Sequence, residues 1–199
     1  MATNSERSAL TRQKLIEQAR LLFARQGYAA TGTEAILEAA GVKRGAMYHH
    51  FSDKLALFEA VCQQISAEAA EAIEAALPDQ AHLSPQDQLL QGSAAWMRFV
   101  LRADIRQIML TDAPTALGWA RWQALEKDWS TASLQAGIEA AIQSGQLRPA
   151  CSADLFTTLI NGALNALALR ASAPETPLAE PQWQAALKAL WMPYLQQIV

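Results

Sequence analysis

The stretch Thr33-Glu34-Ala35-Ile36-Leu37-Glu38-Ala39-Ala40-Gly41-Val42-Lys43-Arg44-Gly45-Ala46-Met47-Tyr48-His49-His50-Phe51-Ser52-Asp53-Lys54 decides how the rest of the chain is read. It divides into two short helices about a tight turn, with a third helix opening just beyond. Ile36, Leu37, Ala39 and Ala40 supply apolar positions on the first of them. Gly41 can take the positive φ that ends a helix, which β-branched Val42 cannot do cheaply. Lys43, Arg44 and Gly45 open the second helix, and Met47, Tyr48 and Phe51 give it an apolar side. A helix too short to stand alone, carrying two cations and a Tyr-His-His run, suits the major groove of DNA better than a core.

The charge balance bears on that expectation. The 199 residues carry a net charge of −3, which by itself argues against a nucleic-acid partner. Residues 1–54, however, hold eight Lys/Arg against five Asp/Glu, whereas the remainder holds eight against fourteen. A basic head on an acidic body fits a protein that touches phosphate with one end only. About half of the residues are apolar, with alanine and leucine abundant and β-branched residues sparse, so the expected class is all-α. No apolar run approaches the roughly 20 residues of a membrane span, and the N-terminus lacks a signal peptide's apolar stretch. Cys62 and Cys151 lie far apart without metal-ligand spacing. A cytoplasmic protein with two reduced thiols, no membrane partner and no cofactor is expected.

Working outward, residues 1–6 read as a frayed tail, followed by a helix from Ser8 to Gln26. Its Leu15, Ile16, Ala19, Leu22 and Phe23 recur on one helical face, and Gly27 follows as a stop. Thr33 reads as the N-cap of the next helix, with Thr31 and Glu34 a competing capping box. Ser52 reads as the cap of a long helix over 53–77 that links head to body and ends at Pro78-Asp79. Ser84-Pro85-Gln86-Asp87 starts another helix, with a cap, Pro at N1 and an acid in the first turn. A short helix restarts at Asp104 and breaks at Asp112-Ala113-Pro114. A long helical pattern runs from Leu117 to Ser144, another helix starts at Ser152, and a last one starts at Gln182, with Pro193 kinking it. The expected division is a helix-turn-helix head over 1–54 and a body over 55–199.

The head resembles the TetR family of bacterial transcriptional regulators. The resemblance covers about residues 10–60. It rests on Thr33-x-x-Ile36, then Ala40-Gly41-Val42-Lys43-Arg44-Gly45-Ala46-Met47-Tyr48-His49-His50-Phe51, then Lys54. Leu37 departs from the family, which more often has alanine there. The resemblance implies an N-terminal three-helix helix-turn-helix domain that binds DNA and a larger helical domain that binds a ligand and dimerises. It also implies a homodimer and repression that a small molecule relieves.

Roles can then be divided among the residues. Thr33, at a helix N-terminus, can hold a phosphate or serve as a cap only. Arg44 can pair bidentately with guanine, while Lys43 is placed for phosphate. Gly45 and Ala46 lack bulk, which allows close approach to the duplex. Tyr48 is expected to face DNA by the family match, and His49 is the next contact. His50 has two open readings, a packed histidine under the turn or a phosphate contact. Met47 and Phe51 belong to the small core, and Lys54 reads as a phosphate clamp. Adjacent His49 and His50 point about 100° apart on a helix, with no Cys or carboxylate to complete a metal site.

All six tryptophans lie after residue 95. Trp96, Met109, Trp119 and Trp122 are the expected lining of a pocket for an apolar or aromatic small molecule, with Asp112 and Asn165 as polar anchors. The other reading of each is plain core. The helix from Ser152 and the last helix are apolar around more than one face and form the expected dimer surface. No Ser, Cys or paired-carboxylate constellation surrounds the histidines and there is no Gly-rich phosphate loop, so the chain is not expected to be an enzyme. The rival reading is a helical small-molecule sensor or carrier whose head binds a protein.

Overall fold

The computed structural model describes residues 3–77, 82–127 and 131–195, with the side chains of Trp119 and Glu126 outside that description. Among the described residues every regular element is helical, apart from an isolated bridge between Leu147 and Leu195. The helices are α1 (Asn4–Ala30), α2 (Thr33–Ala40), α3 (Arg44–His50), α4 (Lys54–Ala75), α5 (Pro85–Val100) and α6 (Ala103–Arg106). A π-helical turn (Gln107–Asp112) follows, then α7 (Ala113–Leu117), α8 (Trp119–Glu126), α9 (Ala132–Gln143), α10 (Ala153–Ala171) and α11 (Glu180–Trp191). No helix among the described residues is long and apolar enough to cross a membrane.

Several boundaries differ from the sequence expectation, each for a local reason. Helix α1 starts at Asn4 rather than Ser8, because Thr3 and Glu6 form a reciprocal capping box. It continues past Gly27 to Ala30 with a kink at Gly27, whose φ of 78° and ψ of 163° only glycine adopts readily. Gly32, not Thr33, caps α2, and Thr33 is its first residue. Thr31 does not start α2 but stands as the C-cap residue of α1, its buried hydroxyl donating to the Gly27 carbonyl at 2.7 Å. Asp53 rather than Ser52 caps α4, accepting the Ala56 amide at 2.7 Å. Ser84 and Ser152 cap α5 and α10 as expected.

Pro114 does not break the chain. The π-helical turn runs straight into α7, with the Ala113 amide donating to Ile108 five residues back. The wider turn relieves the clash a proline ring makes with the preceding turn of a regular helix. The pattern from Leu117 to Ser144 is instead interrupted at Gly118 and divided between α8 and α9. Pro193 lies beyond the end of α11 rather than kinking it. The expected stop at Pro78-Asp79 and Trp129 lie outside the described residues.

Packing divides the chain into two compact units. The first comprises residues up to Ile65 together with Ala103–Gln123, and the second comprises Ser66–Arg102 together with residues from Ala124. This is a division by packing, and it takes the start of α4 and the 103–123 segment in with the helix-turn-helix. In the first unit Leu15, Ile16, Ala19 and Phe23 of α1 are buried with Ile36, Met47, Phe58, Ile105, Ile108 and Met109. Phe23 meets Phe58 edge-on at 5.1 Å, and Tyr28 meets Phe58 at 4.6 Å. Two carboxylates fasten the 103–112 segment to α1: Arg20 pairs with Asp104 at 3.1 Å, and the Tyr28 amide donates to Asp112 at 2.8 Å. In the second unit α5, α9, α10 and α11 bury Trp96, Met97, Ile138, Phe156, Ile160, Trp183 and Trp191.

Candidate nucleic-acid interface and ligand cavity

The turn between α2 and α3 fixes the face that α3 presents. Gly41 is left-handed (φ 64°, ψ 35°), its amide donates to Glu38, and the Val42 amide donates to Leu37. That pair of bonds closes α2 in a Schellman motif and lets α3 begin three residues later. Leu37, the family departure, is buried beneath the turn. Met47 and Phe51, one helical turn apart, anchor α3 inward. At 3.6 residues per turn Gly45 and His49 lie about 160° from Met47, at the centre of the outward face. Lys43, Arg44, Gly45, Tyr48 and His49 are all exposed, and Ala46 is half-buried. Tyr48 is 52% exposed, unusual for a large aromatic on a helix.

Arg44 forms an ion pair with Glu34 of α2, both side chains well exposed. Such a pair contributes little and exchanges readily for another acceptor. Lys43 precedes α3 and is free of regular helix geometry. Thr33 is half-buried in the first turn of α2, the end where backbone amides suit an anion. Lys54 is more tied than a phosphate clamp alone requires. Its ammonium donates to the carbonyls of Tyr28 (2.9 Å) and Thr31 (3.0 Å) and sits 4.2 Å from the Tyr28 ring centre. Lys54 therefore staples the start of α4 to the end of α1.

Arg12 is a residue the sequence reading did not single out. Its guanidinium lies 5.2 Å from the centre of the Phe51 ring. It also lies near His50, whose pKa is lowered by burial first and by His49 and Arg12 second. Arg12, His49 and His50 thus bring cationic or protonatable groups from α1 and α3 together. Nothing but its position off the apolar stripe of α1 marked Arg12 in the sequence. Among the described residues, no three His, Cys, Asp or Glu side chains are grouped to hold a metal ion. Cys62 is buried, and burial pushes its thiol well above the usual range.

The second unit contains a cavity of about 480 Å³, within the size range of small-molecule sites. Residues 70–77, α5, α9 and α10 line it. Trp96 is in its wall. Of the other residues expected to line a pocket, those whose side chains are described do not line it. Met109 is fully buried in the core of the first unit, Trp122 is buried on α8 in that unit, and Asp112 caps the kinked end of α1. Asn165 is half-buried on α10, but Asn161, one turn earlier, is the asparagine that lines the cavity. The side chain of Trp119 lies outside the described residues.

Glu74, Gln88, Ser93, Ser133 and Asn161 supply the polar lining, and Ala70, Gly92, Ala136, Gly137 and Ala140 leave the room. The sequence signal for the hollow was therefore its small residues inside helices. The large aromatics mostly fill cores.

Comparison with known proteins agrees with this architecture. The family described as "Bacterial regulatory proteins, tetR family" matches residues 15–61, and "Tetracyclin repressor-like, C-terminal domain" matches residues 86–193. The chain is similar to the transposon Tn10 TetC protein of Escherichia coli, with 26% identity over 168 residues, 81% of this chain and 80% of TetC. It is similar to the HTH-type transcriptional repressor AcnR of Corynebacterium glutamicum, with 25% identity over 166 residues, 81% of this chain and 84% of AcnR. A crystal structure of a TetR-family transcriptional regulator from Pectobacterium atrosepticum superposes with a TM-score of 0.79 at 29% identity, covering all of both chains. Regulators of this kind are in general not enzymes. A helix-turn-helix head and a tetracycline-repressor-like helical body, matched along the length of the chain, place it in the TetR family of transcriptional regulators.

Proposed function

We propose that this protein is a homodimeric repressor that binds a two-fold-symmetric DNA operator and is released when a small molecule enters its cavity. The observation that carries the DNA half of this reading is the outward face of α3. Met47 and Phe51 hold the helix while Lys43, Arg44, Gly45, Tyr48 and His49 face solvent. Arg44 exchanges Glu34 for guanine O6 and N7, and Gly45 lets the helix approach the bases. Thr33, Lys43 and the spare donor of Lys54 meet phosphate, with Ala46 near a thymine methyl and His49 beside it. AcnR, the relative described as a transcriptional repressor, supports the sign of regulation.

The dimer reading is supported by α10. Leu155, Leu159 and Leu169 are large exposed hydrophobics, and exposed Gly162 and Ala166 fall between them on the same face. The stripe is spaced as a helix–helix seam with room for close approach. Release is supported by α4, whose C-terminal turns lie in the cavity wall and whose first residue is Lys54. A ligand that favours one position of α4 biases the head by its differential affinity for the two states. The protein acts in the cytoplasm, where its DNA is.

Fluorescence anisotropy with DNA from upstream of the protein's own gene tests the reading. Wild type binds specifically, and Arg44→Ala and Tyr48→Ala each lose roughly tenfold or more. Equal binding by both variants excludes α3 as the reading helix and favours a head that binds a protein.

A further inference from the structure

We propose that the cavity of the second unit selects an amphipathic cation, a molecule with an apolar body and a positively charged end. This rests on the effector reading above and specifies the chemistry of that same site. The cavity has a buried floor and an exposed rim of different character. Leu77, Leu89, Trp96 and Leu164 are buried and apolar, and buried Ser93 and Asn161 add neutral polar groups. Ala70, Glu74, Ser133, Ala136 and Ala140 are lining residues exposed to solvent. An apolar ligand body therefore finds its place on the floor and a charged end finds water at the rim.

The sign of that charge follows from the lining. Glu74 is the single charged residue among the described lining residues, and no Lys, Arg or His accompanies it. A carboxylate or phosphate end would meet repulsion from Glu74 and no counter-charge. An ammonium end would meet an opposite charge that is still partly hydrated, which removes most of the desolvation penalty of a buried ion pair. The surrounding unit reinforces the sign. Residues 66–102 and 124–199 hold six Lys/Arg against eleven Asp/Glu, a field that concentrates cations near the site. Glu74 is carried by α4, the helix that begins at Lys54, so the charged end of the ligand acts on the element that leads to the head.

Isothermal titration calorimetry on the full chain separates this proposal from the reading it rests on. The probes are decyltrimethylammonium and decanoate below their micelle concentrations and decanol below its solubility limit. The expected order places the ammonium about tenfold tighter than the carboxylate. Glu74→Gln lowers ammonium affinity roughly fivefold, the worth of one exposed charge pair, raises that of decanoate, and leaves decanol within about twofold. Glu74→Lys inverts the preference. Gly92→Leu, which projects toward Leu77 and Ile73, weakens all three probes. If decanoate binds as well as the ammonium, or if Glu74→Gln changes neither, the cation proposal is wrong while the cavity remains the effector site. If no probe binds, or if Gly92→Leu leaves binding intact, the effector reading of the cavity fails with it.

Discussion

Gly45 offers a perturbation whose two consequences have opposite signs. It is the second residue of α3 and faces away from Met47, and a Cβ built there meets nothing within 4 Å. Alanine in place of an exposed helical glycine gains about 0.5–1 kcal/mol by lowering the entropy of the unfolded chain and raising helix propensity. For a chain of this size that raises Tm by about 1–4 °C. On the proposed DNA-binding reading, the groove occupies that same space in the complex. Gly45→Leu would then add a side chain between the helix backbone and the bases, and a displaced helix would lose the proposed bidentate Arg44 contact, worth about 1–3 kcal/mol. The expected outcome is that Gly45→Ala melts higher by circular dichroism, and that Gly45→Leu folds yet binds operator DNA tenfold or more weakly by anisotropy at fixed salt. A Gly45→Leu protein that binds within twofold of wild type refutes the assignment of this face to DNA.

Three further outcomes follow from the geometry. Asp112→Ala removes the carboxylate that accepts the Tyr28 amide and should cost about 1.5–3 kcal/mol in urea unfolding while leaving cavity binding unchanged; a selective loss of ligand binding would return Asp112 to the pocket. Lys54→Met should lower stability by about 1–3 kcal/mol, and a salt slope of DNA binding reduced by about one would add a phosphate contact to its stapling role. His50 has a folded pKa below the ordinary 6.5, so the unfolded chain binds the proton more readily. Its contribution is complete above about pH 6.5 and lost as pH falls below that value, so His50→Gln should flatten part of the stability decline between pH 7.5 and 5.5; an unchanged slope removes His50 from the account.

The head was legible in the sequence because its geometry depends on a few residues with one use each. Gly41 permits the left-handed turn, Met47 and Phe51 are the apolar pair of α3, and Tyr48 is left outside. The caps were less legible. Adjacent candidates such as Ser52 and Asp53, or Gly32 and Thr33, differ by one residue, and tertiary position chooses between them. Asp112 looked like a pocket anchor because a carboxylate beside Pro114 suggests a break. Its partner is a backbone amide 84 residues earlier, which no local pattern reveals. The cavity lining was legible only in part for a related reason. Tryptophans attract attention by size, and Trp96 does stand in the wall, but Trp122 and Met109 are buried in the first unit, and the hollow is made by alanines and glycines that α5 and α9 bring together.

Hydroxyl-radical footprinting of the full chain on its own upstream DNA reads out how α3 of each subunit meets the duplex. A dimer that places α3 of each subunit in a major groove protects two symmetry-related patches on one face of the duplex, about one helical turn or modestly more apart. Both patches should vanish together in Arg44→Ala. A single protected patch, or protection that Arg44→Ala leaves in place, contradicts the account.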